Sequence, residues 1–562
     1  MKDFDVCVIG SGAGGGPIAY ELSKAGYDVV VMEKGEWLKE KDFAKDELKS
    51  VRRSTFTPNL KDERHVIEDL ENGEWEGEST QESGWDFWNG SMVGGSSNLM
   101  SGFFHRLKPN DFRLLSKYGE IKYGNIVDWP ITYDDMEPYY EKVERIVGVS
   151  GKYKKHKFSE PRSTTDYPYP STAEHHISSL IDNACFDLNI SNFPVPRAIL
   201  SKADGDRGAC YYSGYCGSYG CNSRAKGSSR VSLLDKAVKT GKCHIRPNSY
   251  VYNIKTNSNG KIEYIEYIDK GNESSIGKKE KVSAKIYVLA CQAIETSRLM
   301  LNSIGPKHPH GLSNKNGQVG KNLIFASGGS ANCELPYSDF DTETQDKMKV
   351  QGPFINRAVQ EYYEYLDPET NKLLKGGTIE FLMRHPNPIA RSNFLKWGDS
   401  GELIWGKKLQ EKMFNHFTKN KHLRFEVFCD WTPNDHCFVD IAKNEKDKWG
   451  LPVAKVRIGN HGHDMKVGAY INKKGENILK KLGGKNIQTH LSASPPSNLQ
   501  AGGCRFGNDP ETSVLDKDCR SHEIENLFVT DGSFMPTGGS VPFTWTIYAN
   551  SFRIADKIKL QL

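Results

Sequence analysis

Residues 5–35 read DVCVIGSGAGGGPIAYELSKAGYDVVVMEKG. Asp5 to Ile9 is an apolar run of strand type, a glycine-rich turn follows, and Pro17 to Ala25 has the spacing of a helix that stops at Gly26. Asp28 to Met32 is a second strand, so the segment reads as the opening βαβ unit of a parallel sheet. Within the turn, Gly10-Ser11-Gly12-Ala13-Gly14-Gly15 fits G-x-G-x-x-G. Gly10 permits the tight turn, Gly12 lets the backbone approach a pyrophosphate, and Gly15 allows close helix packing. The N–H groups of the helix start, Ala13 and Gly14 among them, then face the phosphates, and Glu33 ends the second strand as a hydrogen-bond acceptor for ribose hydroxyls. Strand, helix and terminal acid together predict dinucleotide binding, and the spacing leaves NAD and FAD both open.

Outward from this unit, a polar stretch from Lys39 to Glu82 reads as loops and a lid, mobile without ligand. Tyr133 to Val147 has helical spacing, with Thr132 as its cap and Pro138 in its early turns. Lys261 to Val288 alternates as antiparallel strands do, and Lys285 to Ala290 repeats the buried-strand pattern of the N-terminus. Phe325 to Asn486 is richer in aromatic residues, which suits a substrate domain.

The chain has 562 residues, enough for two domains and a sizeable core. Its 75 basic and 71 acidic residues leave a net charge of +4, which gives no reason to expect nucleic acid. No apolar run is long enough to span a membrane, and no export signal precedes the first strand, so cytoplasm is the default compartment. Twelve cysteines are too dilute for a disulfide scaffold. One group is tightly spaced: Cys210, Cys216 and Cys221, among Gly214, Gly217 and Gly220. Three thiolates on a glycine-permissive loop suit an iron–sulfur cluster lacking one iron, and buried thiols are the other reading.

Longer stretches resemble the glucose–methanol–choline (GMC) oxidoreductases, above all their bacterial sugar and gluconate dehydrogenase branch. They are the opening segment, MVGGSSNLMSGFFHRLKPNDF, WPITYDDMEPYYEKVERIVGVSG, YVLACQAIETSRLML, VGKNL and GGCRFGNDPETSVLDKDCRSHEIENLFVTDGSFMPT. The resemblance implies an α/β fold, with a discontinuous FAD-binding Rossmann-like domain (1–324 and 491–562) and an α+β substrate domain with an antiparallel sheet (325–490). It selects FAD over NAD. It places Gly94, Gly95 and Ser96 near the flavin and pyrophosphate, Val251 at the adenine, Ala290 at the end of its strand beside the cofactor, and Asp531 and Gly532 over the pyrophosphate and ribityl chain. Similar dehydrogenases carry a 3Fe-4S cluster on three cysteines in this region and pass electrons to a small or cytochrome subunit. Some are co-exported to the periplasm with a partner.

Two departures from the family pattern stand out. Leu99 occupies the position where some relatives attach FAD through a His, and His105 lies too far along, so binding should be non-covalent. The family base and its polar partner fall at Leu499 and Pro542, neither of which can exchange a proton or donate a side-chain hydrogen bond. A local shift could bring in Asn498, or a histidine could substitute: His490 first, then His461 or His463. His522 reads as structural. The leading function is FAD-dependent oxidation of an alcohol group on a sugar, amino sugar or similar polyol. A lyase using the same fold and a non-catalytic FAD-binding, electron-transferring subunit are the alternatives.

Overall fold

The computed structural model describes residues 3–48, 64–71, 73–83, 87, 89–271, 277–398, 400–491 and 499–562. The N-terminal strand Asp3–Ile9 lies inside a parallel sheet, between Val29–Met32 and Lys278–Leu289. Cys243–Arg246 extends the sheet on one side and Leu527–Val529 on the other. Val6, Cys7 and Val8 are fully buried. A parallel strand covered on both faces needs such an unbroken apolar run, which is why the sequence shows no alternation there. Helix Gly15–Lys24 joins the first two strands, and the C-terminal helix Thr544–Lys559 packs alongside it. The N-terminal half of Lys278–Leu289 continues outward as an antiparallel meander with Ile262–Asp269 and Ser249–Thr256.

A second sheet is antiparallel throughout and runs in the order Lys485–Leu491, Gly329–Pro336, Asn420–Asp430, Gly377–Met383, Arg357–Val359 and Asn192–Pro194. Helix Gly462–Lys481 covers one face, burying Val467, Ile471, Ile478 and Leu479 against Leu423, Phe425 and Val427. The other face turns toward the parallel sheet.

Three features depart from the sequence reading. Within the expected lid, Val66–Glu71 and Glu74–Ser79 form a hairpin that joins Pro452–Ile458, with Val66 opposite Lys455. Its pattern is weak because cross-strand charge holds it: Glu68 accepts from Arg457 at 2.7 Å and pairs with Lys455 at 3.2 Å. Gly73, at φ +88° between the two strands, was the available signal. Strand pairing also cuts across the boundaries 325 and 490. Asn192–Pro194 belongs to the second sheet, whereas Cys437, Val439 and Val456 pack in the core of the parallel one. Finally, the helix capped by Thr132 runs Tyr133–Val143 and then widens into a π turn, Glu144–Gly148.

Gly10 has φ of +100°, and an added Cβ would lie 2.1 Å from the carbonyl oxygen of Ala290. The first strand and its neighbour are therefore too close for a side chain. Gly10→Ala should lower unfolding stability by about 2 kcal/mol or more, read from the midpoint of urea denaturation.

Candidate active site

The glycine turn is held from four distant parts of the chain. Ser229 Oγ donates to the Ser11 carbonyl at 2.8 Å, and both Thr530 Oγ1 (2.9 Å) and Ser551 Oγ (2.5 Å) donate to the Gly14 carbonyl. The Gly94 N–H donates to Ser11 Oγ at 2.9 Å, and that hydroxyl donates to Glu33 Oε2 at 2.5 Å. Glu33 also accepts from the N–H groups of Ser11 and Gly35, at 3.2 and 2.9 Å. Burial still pushes its carboxyl above the ordinary range against those bonds. Gly14 and Gly15 are packed against backbone, where a Cβ would meet the Asp531 N–H at 2.7 Å and the Gly10 carbonyl at 2.0 Å. Gly12 is different: a Cβ there would point into open space. That opening, at the N-terminus of a ten-residue helix and beside a buried acid, fits a dinucleotide pyrophosphate and ribose.

Gly12 opens into a cavity of about 1070 Å³. Its size lies at the top of the range for small-molecule sites, roughly 300–1,000 Å³, and leaves room for a dinucleotide with a small substrate. Gly10, Ala13, Gly14, Glu33, Gly95, Ser96, Val251, Ala290, Asp531 and Gly532 all line it. Gly94 and Gly15 lie behind the lining, as turn and packing residues. Asp531 has a second task. Its carboxylate accepts from Gln292 N, Thr296 Oγ1, Ser533 N and Ser533 Oγ, fixing the start of helix Ala293–Asn302. Gln292, at φ +84°, also lines the cavity and donates to Gln500 at 2.5 Å. Sequence reasoning missed that pair.

Leu499 and Pro542 line the same cavity, and Leu499 sits there at φ +62°, an unusual conformation for a bulky side chain. Asn498 lies outside the described residues. His490 is exposed, on the sheet's edge strand, and lines the cavity. His105, His461, His463 and His522 are not part of its lining. His461 caps helix Gly462–Lys481, accepting from the His463 N–H at 3.1 Å, and its Nε2 lies 2.9 Å from the Lys122 carbonyl. His463 is the second residue of that helix. His522 bonds to Ser513 Oγ at 3.0 Å in a loop. His105 is buried against Glu380.

Strand register supplies what the C-terminal loop lacks. Along Asn420–Asp430, Leu423, Phe425, Val427 and Cys429 are buried in the core that the helix covers, while Arg424, Glu426 and Phe428 line the cavity. His490 stands opposite Ser330, and Ser330 opposite Glu426, which in turn stands opposite Glu380. Directly opposed residues share a face, so His490, Ser330 and Glu426 form one polar row along the wall, about 10 Å from end to end. Burial raises the Glu426 carboxyl above its ordinary range; Arg424 opposes this and Glu380 adds to it. The alternation of NKHLRFEVFCD was the signal in the sequence, but it could not say which cavity the polar face meets.

The three loop cysteines line a smaller cavity of about 120 Å³, together with Lys45, Arg197 and Lys226. None of the twelve cysteines is in a disulfide. Lys226 Nζ donates to the carbonyls of Cys216 (2.9 Å) and Tyr219 (2.8 Å), and Lys45 Nζ to those of Tyr215 (3.0 Å) and Gly220 (2.6 Å). Burial pushes the Cys210 thiol up to about 11. At Cys221 burial acts the same way but is outweighed by Lys226 and a bond to Ser223, so that thiol falls below its usual value.

A parallel sheet with a glycine cradle, closed by an antiparallel sheet over one cavity, defines a dinucleotide-binding protein with room for a small substrate. Residues 173–325 and 433–551 match the N- and C-terminal parts of the family described as GMC oxidoreductase. Over 99% of its length the chain is 30% identical to 2-methyl-1,2-propanediol dehydrogenase of Mycolicibacterium austroafricanum, covering 95% of that protein. It is 28% identical to 6'''-hydroxyparomomycin C oxidase of Streptomyces lividus, over 100% of this chain and 92% of that one. Formate oxidase from Aspergillus oryzae shares the fold, with a TM-score of 0.64, 14% identity, and coverage of 100% and 98%. The chain belongs to the GMC oxidoreductases. It is an FAD-dependent enzyme acting on CH–OH donors, which sets aside the lyase and scaffold readings. No helix among the described residues is long and apolar enough to cross a membrane.

Gly12 offers a clean test of the cradle. Gly12→Ala should leave the stability of the apoprotein within about 0.5 kcal/mol of the parent, because the new methyl meets no protein atom. It should weaken FAD binding by about ten-fold or more, measured by fluorescence titration of the apoprotein.

Proposed function

We propose that this chain oxidises a secondary or primary alcohol carbon of a sugar or polyol, with FAD bound non-covalently, and that His490 and Glu426 take over the work of the base and its partner. The observation that carries this reading is that the glycine cradle and the polar row His490–Ser330–Glu426 open into one cavity. FAD, when bound in the cradle, supplies a hydride acceptor. Glu33 and the N–H groups at the start of helix Gly15–Lys24 would hold its ribose and pyrophosphate. Val251 would meet its adenine end, and Asp531 and Gly532 its ribityl side. Non-covalent binding follows from Leu99, which has no nucleophilic atom, and from His105, which is held by Glu380.

In this reading the His490 imidazole takes the hydroxyl proton as the carbon hydride departs. The Glu426 carboxyl would hydrogen-bond the substrate at the other end of the row, and Ser330 lies between them. Leu499 and Pro542 contribute shape and exclude water.

The cysteine loop supports a second cofactor. Cys210, Cys216 and Cys221 would hold a 3Fe-4S cluster in the smaller cavity, where Lys45, Lys226 and Arg197 offset its negative charge. Such a cluster would connect the flavin to an external acceptor, either soluble or a small or cytochrome subunit.

Anaerobic mixing of the yellow holoprotein with a panel of alditols, sugars, amino sugars and sugar acids should bleach the flavin band with at least one of them. His490→Ala should then slow flavin reduction by about 10²- to 10⁴-fold at unchanged FAD content, and Glu426→Gln should slow it too. An unaltered rate would remove the residue from the mechanism. Low-temperature EPR of anaerobically purified protein should show the cluster, and a silent spectrum with iron absent by analysis would rule it out.

A further inference from the structure

Beyond the polar row, the same cavity wall becomes basic. One step outward along its strand from Glu426 comes Arg424, opposite Asn332 on one neighbouring strand and Leu382 on the other. Arg384 follows that second strand and donates to Asn332 Oδ1 at 2.9 Å, so it reaches across the same level. Arg391, from helix Pro388–Leu395, completes the group, and all three line the cavity.

Their partners do not balance their charge. Among the described residues, neither Arg384 nor Arg391 has a carboxylate within ion-pairing distance. Arg384 has the Asn332 amide, and Arg391 donates to the carbonyls of His385 and Pro386, each from Nε at 2.9 Å. Glu47, the acid nearest Arg391, is occupied with the N–H groups of Ile389 and Ala390, at 3.0 and 2.6 Å. Arg424 shares one carboxylate, Glu426 at 3.0 Å, and its buried Nε has no partner. Burial lowers the affinity of Arg384 and Arg391 for their protons; Arg424 adds to this at Arg384 and Arg384 at Arg391, whose guanidinium falls to about 10. The neighbouring His416 is driven to about 4, first by burial and then by His422 and these arginines. Glu334, His416 and His422 bring donor atoms within 4.8 Å of one another, but a cation there would face the same uncompensated charge.

Three guanidiniums are gathered on one cavity wall with Glu426 as their one direct ion-pair partner among the described residues; an anion would complete the group, and the planar fork of arginine suits a carboxylate or phosphate. We propose that the alcohol oxidised in this cavity carries an anionic oxyacid group, a carboxylate or a phosphate ester, at the far end of a short polyol chain, gripped by Arg384, Arg391 and Arg424. This rests on the reading that the cavity oxidises an alcohol. Successive residues on one strand face lie about 7 Å apart, so the anion would sit roughly that far outward from the reacting hydroxyl at the His490–Glu426 row. A five- or six-carbon chain spans the gap. Arg384 also borders the cysteine cavity, so its charge could serve a cluster there, but Arg391 and Arg424 border only the larger one. Along Asn420–Asp430 the contact with the nucleotide-binding body lies at the opposite end from the arginines, where Asp430 accepts from Ser540 at 3.3 Å.

The decisive measurement is binding to the holoprotein, followed by perturbation of the flavin spectrum or by calorimetry. The ligands are an aldonic acid, a hexose phosphate, the matching alditol and an amino sugar, each at low and high salt. An acid or phosphate should bind at least about 100-fold more tightly than the alditol, and the preference should shrink as salt rises. Arg391→Gln and Arg424→Gln should each cut that preference by about ten-fold or more while FAD content stays at the parent level. The better of the two anions identifies the oxyacid. Equal or tighter binding of the alditol or amino sugar overturns the inference, as does a preference indifferent to both substitutions. Flavin bleaching is scored separately: arginine-dependent anion binding without bleaching would sustain the anion site and sink the oxidation reading instead.

Discussion

The Ser11 hydroxyl is the point through which the dinucleotide site is assembled. It accepts from the Gly94 N–H and donates to Glu33, so one side chain ties the first turn to the Gly94 loop and to the end of the second strand. The carbonyl of Ser11 is held by Ser229, and that of Gly14 by Thr530 and Ser551. A tight glycine turn cannot bury its own carbonyls unsatisfied, and here every hydroxyl that satisfies them comes from more than two hundred residues away. The cradle is thus formed only when the C-terminal strand and helix have docked. The discontinuity of the fold follows from that requirement, because the last elements of the chain finish a site that the first ones begin.

This explains which features could be read from the sequence. The strand, turn and helix of residues 3–24 are local, and their pattern is dictated by burial on both faces and by backbone approach at Gly10, Gly14 and Gly15. Glu33 and Asp531 are legible because each ends a strand of that sheet. Gln292 and Glu426 were not, since what places them is a helix cap in one case and the pairing of distant strands in the other. The hairpin 66–79 was hidden for a different reason. Most of its residues alternate between charged and exposed, so hydrophobic period carries little information, and ion pairs to Arg457 and Lys455 do the positioning. His461 illustrates the converse error: its proximity to the motif in sequence was real, but its ring is spent on capping a helix.

The antiparallel sheet divides its labour by parity. In the middle of Asn420–Asp430, Leu423 and Phe425 are buried in the core under helix Gly462–Lys481 while Arg424, Glu426 and Phe428 line the cavity, as the period of two requires. Reading inward to outward, the cavity face presents Phe428, Glu426 and Arg424, with His422 beyond. The inner end, Asp430, lies near Ser540 of the nucleotide-binding body at 3.3 Å. The strand therefore grades from an aromatic surface deep in the cavity, through a carboxyl, to a basic rim. A register slip of one residue would bury the charges and expose Leu423, Phe425 and Val427, so the core under the helix enforces the order of groups along the cavity.

That grading bears on the missing base. Leu499 and Pro542, where the family resemblance leads one to expect a base and its partner, line the cavity, and neither can exchange a proton. In the proposed reading the proton leaves toward the sheet, where His490 and Glu426 stand on one row. Moving the acceptor to the sheet has a consequence for substrate orientation. An alcohol held by residues of one wall can be anchored further along that wall, and the next level outward is the arginine group. In that reading the polar row and the arginine group act together, and a single sheet face both grips the substrate and takes its proton.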